Sequence, residues 1–230
     1  MKDLQQKLDF LLDKYSVKSE ATLKGKTTVT VNGADTPILS HRAERRFTEL
    51  KNIVQGGTLQ GISVMRVARI VPKDKDIFKE LYREFDLCQY ILGRKIAAVT
   101  AMQNDNTLNI IATAEDGIVC TIEISATLKA GDEPKDKHEI ISQRGIACDI
   151  AVDAQLKQDS VYVFGNENKK YTDVDFELYG LSFEDIAIVR AAFSVAQKGN
   201  RDEMISIDKN LNDLVEKAKL SVKTGERQAV

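Results

Sequence analysis

Three β-forming segments that follow one another without an intervening helix constrain the fold of this chain most. They are KIAAVTAM, NTLNIIATA and GIVCTIEISATL, at residues 95–102, 106–114 and 117–128. Such isoleucine-, valine- and threonine-containing runs are typical of strands. Glu115-Asp116-Gly117, which joins the last two, has the composition of a hairpin turn. The middle of the chain is therefore predicted to be rich in β-structure.

The flanking segments complete the pattern. Further strands are predicted at residues 61–71, 138–152, 159–165 and 170–180, with a polar loop at 129–137. Apolar residues at helical spacing predict helices within residues 4–15, 41–57, 76–92, 182–199 and 206–224. The turn signal Asn32-Gly33 lies in residues 23–39, which are predicted to form a hairpin or a projecting arm.

These elements predict an α+β fold, because strands and helices do not alternate regularly as βαβ units would. The expected architecture is an open, largely antiparallel β-sheet with helices packed on one face. We expect an N-terminal helix and β-hairpin arm at residues 1–40 and the α+β domain at residues 41–230.

Charge and composition exclude several classes of partner. The chain has 33 Lys and Arg residues against 35 Asp and Glu residues, without a basic excess or a like-charge block, so no nucleic-acid partner is predicted. No apolar run is long enough to span a membrane. Cys88, Cys120 and Cys148 are few and far apart, which indicates reduced thiols. With a start too charged for a signal peptide, they predict a cytoplasmic protein.

The common motifs of cofactor and metal sites are missing from the sequence. It contains neither a G-x-G-x-x-G turn after a strand nor a Walker P-loop, so no nucleotide cofactor is predicted. Its two histidines, His41 and His138, lie in no cysteine cluster, and no metal centre is predicted. No serine nucleophile elbow is present. No catalytic residue is therefore assigned.

One helix nevertheless carries charged residues in a row on a face outside its apolar stripe. Lys79, Arg83 and Asp86 are spaced by four and three residues, which places them on one helix face. Either this face is solvated, with an exposed Arg83–Asp86 ion pair, or Lys79 and Arg83 bind a carboxylate or phosphate.

The two histidines are weaker candidates. His41 and Arg42 are a second candidate anion site, and the alternative is that His41 is a surface histidine at a helix start. His138 is predicted to be a rim residue without a role.

Several segments, in a fixed order, resemble a known family. Two of them are residues 40–69 and 85–101; further matches lie around the Glu115-Asp116-Gly117 turn and in the two C-terminal helices. The matching positions of the first two segments are Leu50, Lys51, Ile53, Gly57, Leu59, Gly61, Ile62, Asp86, Leu87, Ile91, Leu92 and Gly93. Together they resemble the C-terminal domain of the glucose–fructose oxidoreductase / inositol dehydrogenase (Gfo/Idh/MocA) family.

The resemblance implies a C-terminal domain without its N-terminal Rossmann domain, which in that family binds NAD(P). In the family, an aspartate and the acid/base histidine occupy the positions of Lys79 and Arg83. Arginine cannot give up its proton near neutral pH, so Arg83 cannot replace that histidine as a general base. Lys79 could act as a base only if burial lowered its pKa strongly.

Three hypotheses for function follow. The chain either binds a sugar-like or anionic ligand, or assembles through its sheet, without its own dehydrogenase activity. Alternatively, it is one half of a split NAD(P)-dependent dehydrogenase, with a Rossmann-domain subunit on another chain. The third hypothesis is a structural or regulatory oligomer without a ligand. The resemblance also implies a homo-oligomer formed through the open sheet face.

Overall fold

A computed structural model describes residues 1–149, 160–164, 169–172, 175, 177–178 and 180–230. Its helices are α1 (Lys2–Lys14), α2 (Arg45–Gln55), α3 (Ile77–Leu92), α4 (Phe183–Lys198) and α5 (Arg201–Thr224). Its first strands are β1 (Ala21–Lys24), β2 (Thr28–Val31), β3 (Ala34–Pro37), β4 (Ile62–Pro72), β5 (Ile96–Asn104) and β6 (Thr107–Ala114). The others are β7 (Val119–Leu128), β8 (Lys135–Ser142), β9 (Gly145–Cys148), β10 (Ser160–Phe164), β11 (Lys169–Thr172) and β12 (Gln228–Ala229).

The chain divides into two compact units, residues 1–48 with 174–210 and residues 49–173 with 211–230. The predicted domain boundary at residue 40 stays a prediction. None of the helices in the described ranges is long and apolar enough to cross a membrane.

The first unit contains a small sheet with the order β1-β2-β3. The predicted hairpin is present: Val31 pairs with Ala34, and Asn32 and Gly33 both have positive φ angles, as a tight hairpin turn requires. Val29 is fully buried, and α4 contacts β1, β2 and α1. The segment therefore belongs to the core of this unit.

The second unit contains a nine-stranded sheet with the order β11-β10-β9-β8-β4-β7-β6-β5-β12. Every neighbouring pair is antiparallel except β4 and β7, which are parallel. The predicted α+β class and the largely antiparallel sheet are confirmed. The parallel pair could not be predicted from the sequence, because 46 residues separate the end of β4 at Pro72 from the start of β7 at Val119.

One face of this sheet is buried and the other is open. In β6, Leu108, Ile110 and Ala112 are buried, whereas Asn109 and Ile111 between them are exposed. β7 alternates in the same phase. Helix α3 contacts β7, and the neighbouring Cys120 thiol on β7, together with burial, raises the pKa of the Cys88 thiol on α3. The buried face is therefore the one that α3 covers.

Two predicted boundaries differ from the structure. Within the described residues, the predicted strand at 138–152 consists of β8 and β9, and residues 150–152 lie outside that part of the chain. Strand β8 begins at Lys135, inside the predicted polar loop. His138 therefore lies within a strand and not at its start. Helix α5 begins at Arg201, before the predicted Ser206, because Asp202 and Glu203 favour a helix N-terminus. Of the predicted strand at 170–180, residues 173–174, 176 and 179 lie outside the described residues.

Candidate functional site

A buried network of charged side chains lies between α3 and the sheet in the second unit. It includes residues of α3, β4 and β8 and the residue that follows β9. We call it the α3–sheet cluster; its members are Arg69, Glu80, Arg83, Glu84, Asp136, His138 and Asp149.

The capping of α3 fixes where its charged residues lie. The helix begins after Asp76, whose side chain accepts a hydrogen bond from the backbone N–H of Phe78 at 2.9 Å, and it ends at Gly93, which has a φ of 66°. Between these ends, buried Leu81 and Phe85 hold one face of α3 in the core. Glu84 follows Leu81 by three positions and so lies on the same face of the helix, with no exposed surface.

Two guanidinium groups meet one carboxylate at the centre of the cluster. Arg69 on β4 and Arg83 on α3 each donate a hydrogen bond to Oδ2 of Asp136 on β8, both at 3.0 Å. Arg69 also donates to Glu80 at 2.6 Å, and Arg83 donates to Glu84. Asp136 pairs with Arg69 across the two strands, so the sheet register itself brings them together.

His138 connects two buried carboxylates. Its Nε2 atom lies 2.8 Å from Oε2 of Glu84, and its Nδ1 atom lies 2.7 Å from Oδ2 of Asp149. The second oxygen of Asp149 accepts the backbone N–H of His138 at 2.7 Å. The imidazole is fully buried. Each of its nitrogens therefore faces a carboxylate oxygen in a place that excludes water.

The charges in the cluster shift the pKa values of its buried members. Burial disfavours the charged form of Glu84, but the positive charges of Arg83, His138 and Arg69 outweigh it and lower the pKa of Glu84 to about 2. Burial likewise disfavours imidazolium, yet Asp149 and Glu84 raise the pKa of His138 to about 9. At neutral pH both groups are therefore charged.

Three members of the cluster also have metal-binding geometry. One ligand atom from each of Asp136, His138 and Asp149 lies within 4.8 Å of the others. Two carboxylates and an imidazole form a mixed oxygen and nitrogen ligand set. This set was not predicted from the sequence.

The predicted row on α3 has three different environments. Lys79 is exposed, the Arg83 side chain is 14% exposed and Asp86 is fully buried. The reading as a solvated face with an exposed Arg83–Asp86 pair is wrong, because Asp86 lies in the protein interior. The anion-site reading of Lys79, Arg83 and Asp86 stays a prediction. However, the guanidinium of Arg83 is already hydrogen-bonded to carboxylates of the protein itself.

The second predicted anion site belongs to the other compact unit. His41 and Arg42 lie in a 3₁₀ turn at Ser40–Ala43, and His41 is only 9% exposed. The alternative that His41 is a surface histidine is therefore wrong. Ligand binding by His41 and Arg42 stays a prediction.

The prediction that His138 is a rim residue is wrong, and sequence reasoning also missed Glu84 and Asp149. One signal was present: Asp136 and His138 are two residues apart in a strand and must share a face. Another was Glu84, which follows Leu81 by three residues on the apolar side of α3. Nothing in the sequence indicated that Asp149 lies beside them, because that contact depends on the register of β8 and β9.

Comparisons with known proteins show similarity in fold. No protein-family model matches the sequence, and no curated protein matches it either. Among solved structures, a putative oxidoreductase from Thermotoga maritima is 17% identical, with a TM-score of 0.64 over 85% of this chain and 63% of that chain. A putative myo-inositol dehydrogenase from Sinorhizobium meliloti is 15% identical, with a TM-score of 0.60 over 84% of this chain and 64% of that chain.

A third similar structure is a levoglucosan dehydrogenase in complex with NADH and levoglucosan. It is 13% identical, with a TM-score of 0.64 over 84% of this chain and 65% of that chain. The chain thus spans somewhat less than two thirds of the length of these proteins. The resemblance to oxidoreductases of this kind is confirmed for the fold, and the matched part of those chains is consistent with the expected C-terminal domain without a Rossmann domain.

Proposed function

We propose that this chain is an assembly domain of the oxidoreductase type, which forms a homo-oligomer through its open sheet face and has no dehydrogenase activity of its own. The observation that supports assembly most strongly is the apolar character of that face. Met102 on β5 is 63% exposed and Ile111 on β6 is 48% exposed. Large apolar side chains that are exposed on a sheet face favour a protein partner over water.

The strand register makes these residues part of one surface. Ile111 pairs with Thr100 of β5 on one side and with Thr121 of β7 on the other. Thr121 in turn pairs with Arg66 of β4. Two further isoleucines, Ile70 and Ile146, are each 38% exposed. We define the open face by Arg66, Met102, Ile111 and Thr121.

Charges of both signs accompany the apolar residues of this face. Lys137 and Glu139, two residues apart on β8, form an ion pair at 2.6 Å, and Arg66 pairs with Glu139 across the strands. A surface with both signs of charge beside an apolar centre is suited to contact a second copy of itself around a two-fold axis. The proposed partner is therefore another copy of this chain.

The absence of dehydrogenase activity is proposed from Arg83. This residue occupies the position of the acid/base histidine in the resembled family, and guanidinium does not act as a base near neutral pH. Its hydrogen bonds to Glu84 and Asp136 further stabilise the charged form. Because these carboxylates already satisfy Arg83, assembly is better supported than binding of a small anion.

A split dehydrogenase is the second candidate function. It is favoured by the similar structures, which extend well beyond the matched part: only 63–65% of their chains is covered. One of them is described in complex with NADH and levoglucosan. On this alternative, a separate Rossmann-domain subunit would bring the cofactor. A dehydrogenase activity that appears only when such a subunit is added would favour this candidate over the first.

We propose that the protein is located in the cytoplasm. Cys88, Cys120 and Cys148 are all free and buried, which is compatible with a reducing compartment. Release of the tagged protein with a cytoplasmic marker on cell fractionation would support this placement, and release with a periplasmic or secreted marker would oppose it.

Matched substitutions test assembly through the open face. Ile111→Lys places a charge at the centre of the proposed contact and should shift the protein from oligomer to monomer in sedimentation velocity. Ile205→Lys is the control, since Ile205 is 37% exposed on α5, outside the open face. The control should sediment like the parent. If both variants remain oligomeric, the contact lies elsewhere.

A further inference from the structure

The α3–sheet cluster contains a set of ligand atoms that assembly through the open face does not use. Asp136, His138 and Asp149 bring two carboxylates and an imidazole within 4.8 Å of one another. His138 and Asp149 are 0% and 5% exposed. We propose that these three side chains bind one divalent transition-metal ion, through Nδ1 of the imidazole and one oxygen of each carboxylate. This inference does not depend on the proposed function.

The hydrogen bond on the other side of the ring supports this assignment. Glu84 accepts from Nε2 of His138 at 2.8 Å. When the Nε2–H bond goes to Glu84, a neutral imidazole presents its lone pair at Nδ1, towards Asp149. Histidine ligands of metals commonly donate their second N–H to a carboxylate in this way. Arg83 holds Glu84 in place through its other oxygen.

The close approach of two acceptor atoms also requires a positive group. Nδ1 of His138 and Oδ2 of Asp149 are 2.7 Å apart. With a neutral imidazole of this tautomer, both atoms carry lone pairs and repel each other. In the metal-free protein the proton of the charged imidazole removes the repulsion, and a bound metal ion would replace that proton. These are the two states that an experiment can distinguish.

The named members of the cluster include more carboxylates than guanidinium groups. Its carboxylates are Glu80, Glu84, Asp136 and Asp149, and its guanidinium groups are Arg69 and Arg83. Four negative charges and two positive charges leave a difference of two among these members. A protonated His138 compensates one of them, whereas a divalent ion beside neutral His138 compensates both. Buried charges without compensation are costly.

The ligand types indicate which ions the site prefers. Calcium and magnesium prefer sites built from oxygen atoms alone, whereas an imidazole ligand favours ions from manganese to zinc. We therefore expect zinc to bind more tightly than manganese. The ion would connect β8 to the residue after β9, and the hydrogen bond between Glu84 and His138 would link it to α3.

Calorimetry with Zn²⁺ on chelator-treated protein tests the site. The parent should bind one ion per chain and release a proton, seen as a difference in heat between two buffers of unlike ionisation enthalpy. His138→Gln should abolish this binding. His41→Gln is the matched control, because the chain has only two histidines, and it should bind like the parent. Glu84→Gln should weaken binding by about 10–100-fold, the usual effect of losing the carboxylate that hydrogen-bonds a metal-ligating histidine.

Nitrogen NMR of the ¹⁵N-histidine-labelled parent gives a test without any substitution in the cluster. Zn²⁺ should remove the proton from Nδ1 of His138 and shift that nitrogen, while His41 stays unchanged. A His138 ring that keeps protons on both nitrogens in excess Zn²⁺ would overturn the proposal. So would Zn²⁺ binding that His41→Gln abolishes, since it would reveal only an adventitious ion at the other histidine.

Discussion

The Nε2 atom of His138 lies 2.8 Å from Oε2 of Glu84, and both side chains are completely buried. This contact joins β8 to α3 through ionisable groups in the core of the second unit. An ion pair in such a place is retained only when other groups compensate its charges, and Arg83 and Asp149 do so here. The contact explains why α3 carries Glu84 on a face otherwise packed in the core.

Removal of Glu84 should destabilise the protein strongly. In Glu84→Ala, His138 and Arg83 lose a buried carboxylate partner, and losses of this kind typically cost about 3–5 kcal/mol. Urea unfolding followed by circular dichroism measures the change. Glu115→Ala is the control because Glu115 is exposed in a turn, and it should stay within about 0.5 kcal/mol of the parent. Equal midpoints for all three proteins would contradict the role of the cluster.

Arg83 and Lys79 should behave differently despite their shared helix. Arg83→Ala leaves Glu84 and Asp136 with one cation fewer and should lower the unfolding free energy by about 3–5 kcal/mol. Lys79→Ala removes an exposed side chain and should have little effect. Thermal melts of both variants measure this difference.

A screen of organic acids and sugar phosphates tests the predicted anion site directly. If Lys79 and Arg83 bind an anion, at least one compound should raise the melting temperature of the parent, and Lys79→Ala should reduce that increase. If no compound stabilises the parent, the predicted anion site is wrong. Arg83→His should not restore dehydrogenase activity in the isolated chain, because no cofactor would be held nearby to accept a hydride.

Glu177 should make the first unit sensitive to acid. Hydrogen bonds from Lys14, Tyr15 and Arg190 lower the pKa of Glu177 from 4.5 to about 2. Because the folded pKa is the lower one, the stabilisation is present above pH 4.5 and is lost as the pH falls towards 2. The melting temperatures of the parent and Glu177→Gln should therefore differ above pH 4.5 and converge below it. A constant difference over this range would show that the carboxylate charge does not matter.

The isolated chain should not bind NADH. The sequence has no glycine-rich turn between a strand and a helix to bring backbone amides to a pyrophosphate. Titration of NADH, followed by its fluorescence, should show no saturable change. Saturable binding in the micromolar range would contradict both the proposed function and the split-dehydrogenase alternative in which another chain holds the cofactor.

The regular elements of this protein could be predicted because their signals are local. Asp76 and Gly93 mark the ends of α3 by capping, and Ser182 begins α4 by accepting a hydrogen bond from the backbone N–H of Asp185 at 3.2 Å. The alternation in β6 and β7 indicated one buried and one open face. Each of these signals acts within a few residues.

The buried cluster could not be predicted because it depends on contacts between distant residues. Glu84 and His138 are 54 positions apart. They meet only because α3 packs against the sheet that contains β8. A polar residue next to buried positions, such as Glu84, indicates some partner without identifying it. The different environments of Lys79, Arg83 and Asp86 could not be predicted for the same reason: spacing defines a helix face but not what covers it.

The molar mass of the unmodified protein in solution tests assembly through the open face most directly. Light scattering over a range of concentrations should give a multiple of the chain mass of 25.6 kDa. The oligomer should persist on moderate dilution, because burial of Met102 and Ile111 favours association. A mass of 25.6 kDa at every concentration would contradict the proposal that this face binds a second copy of the chain.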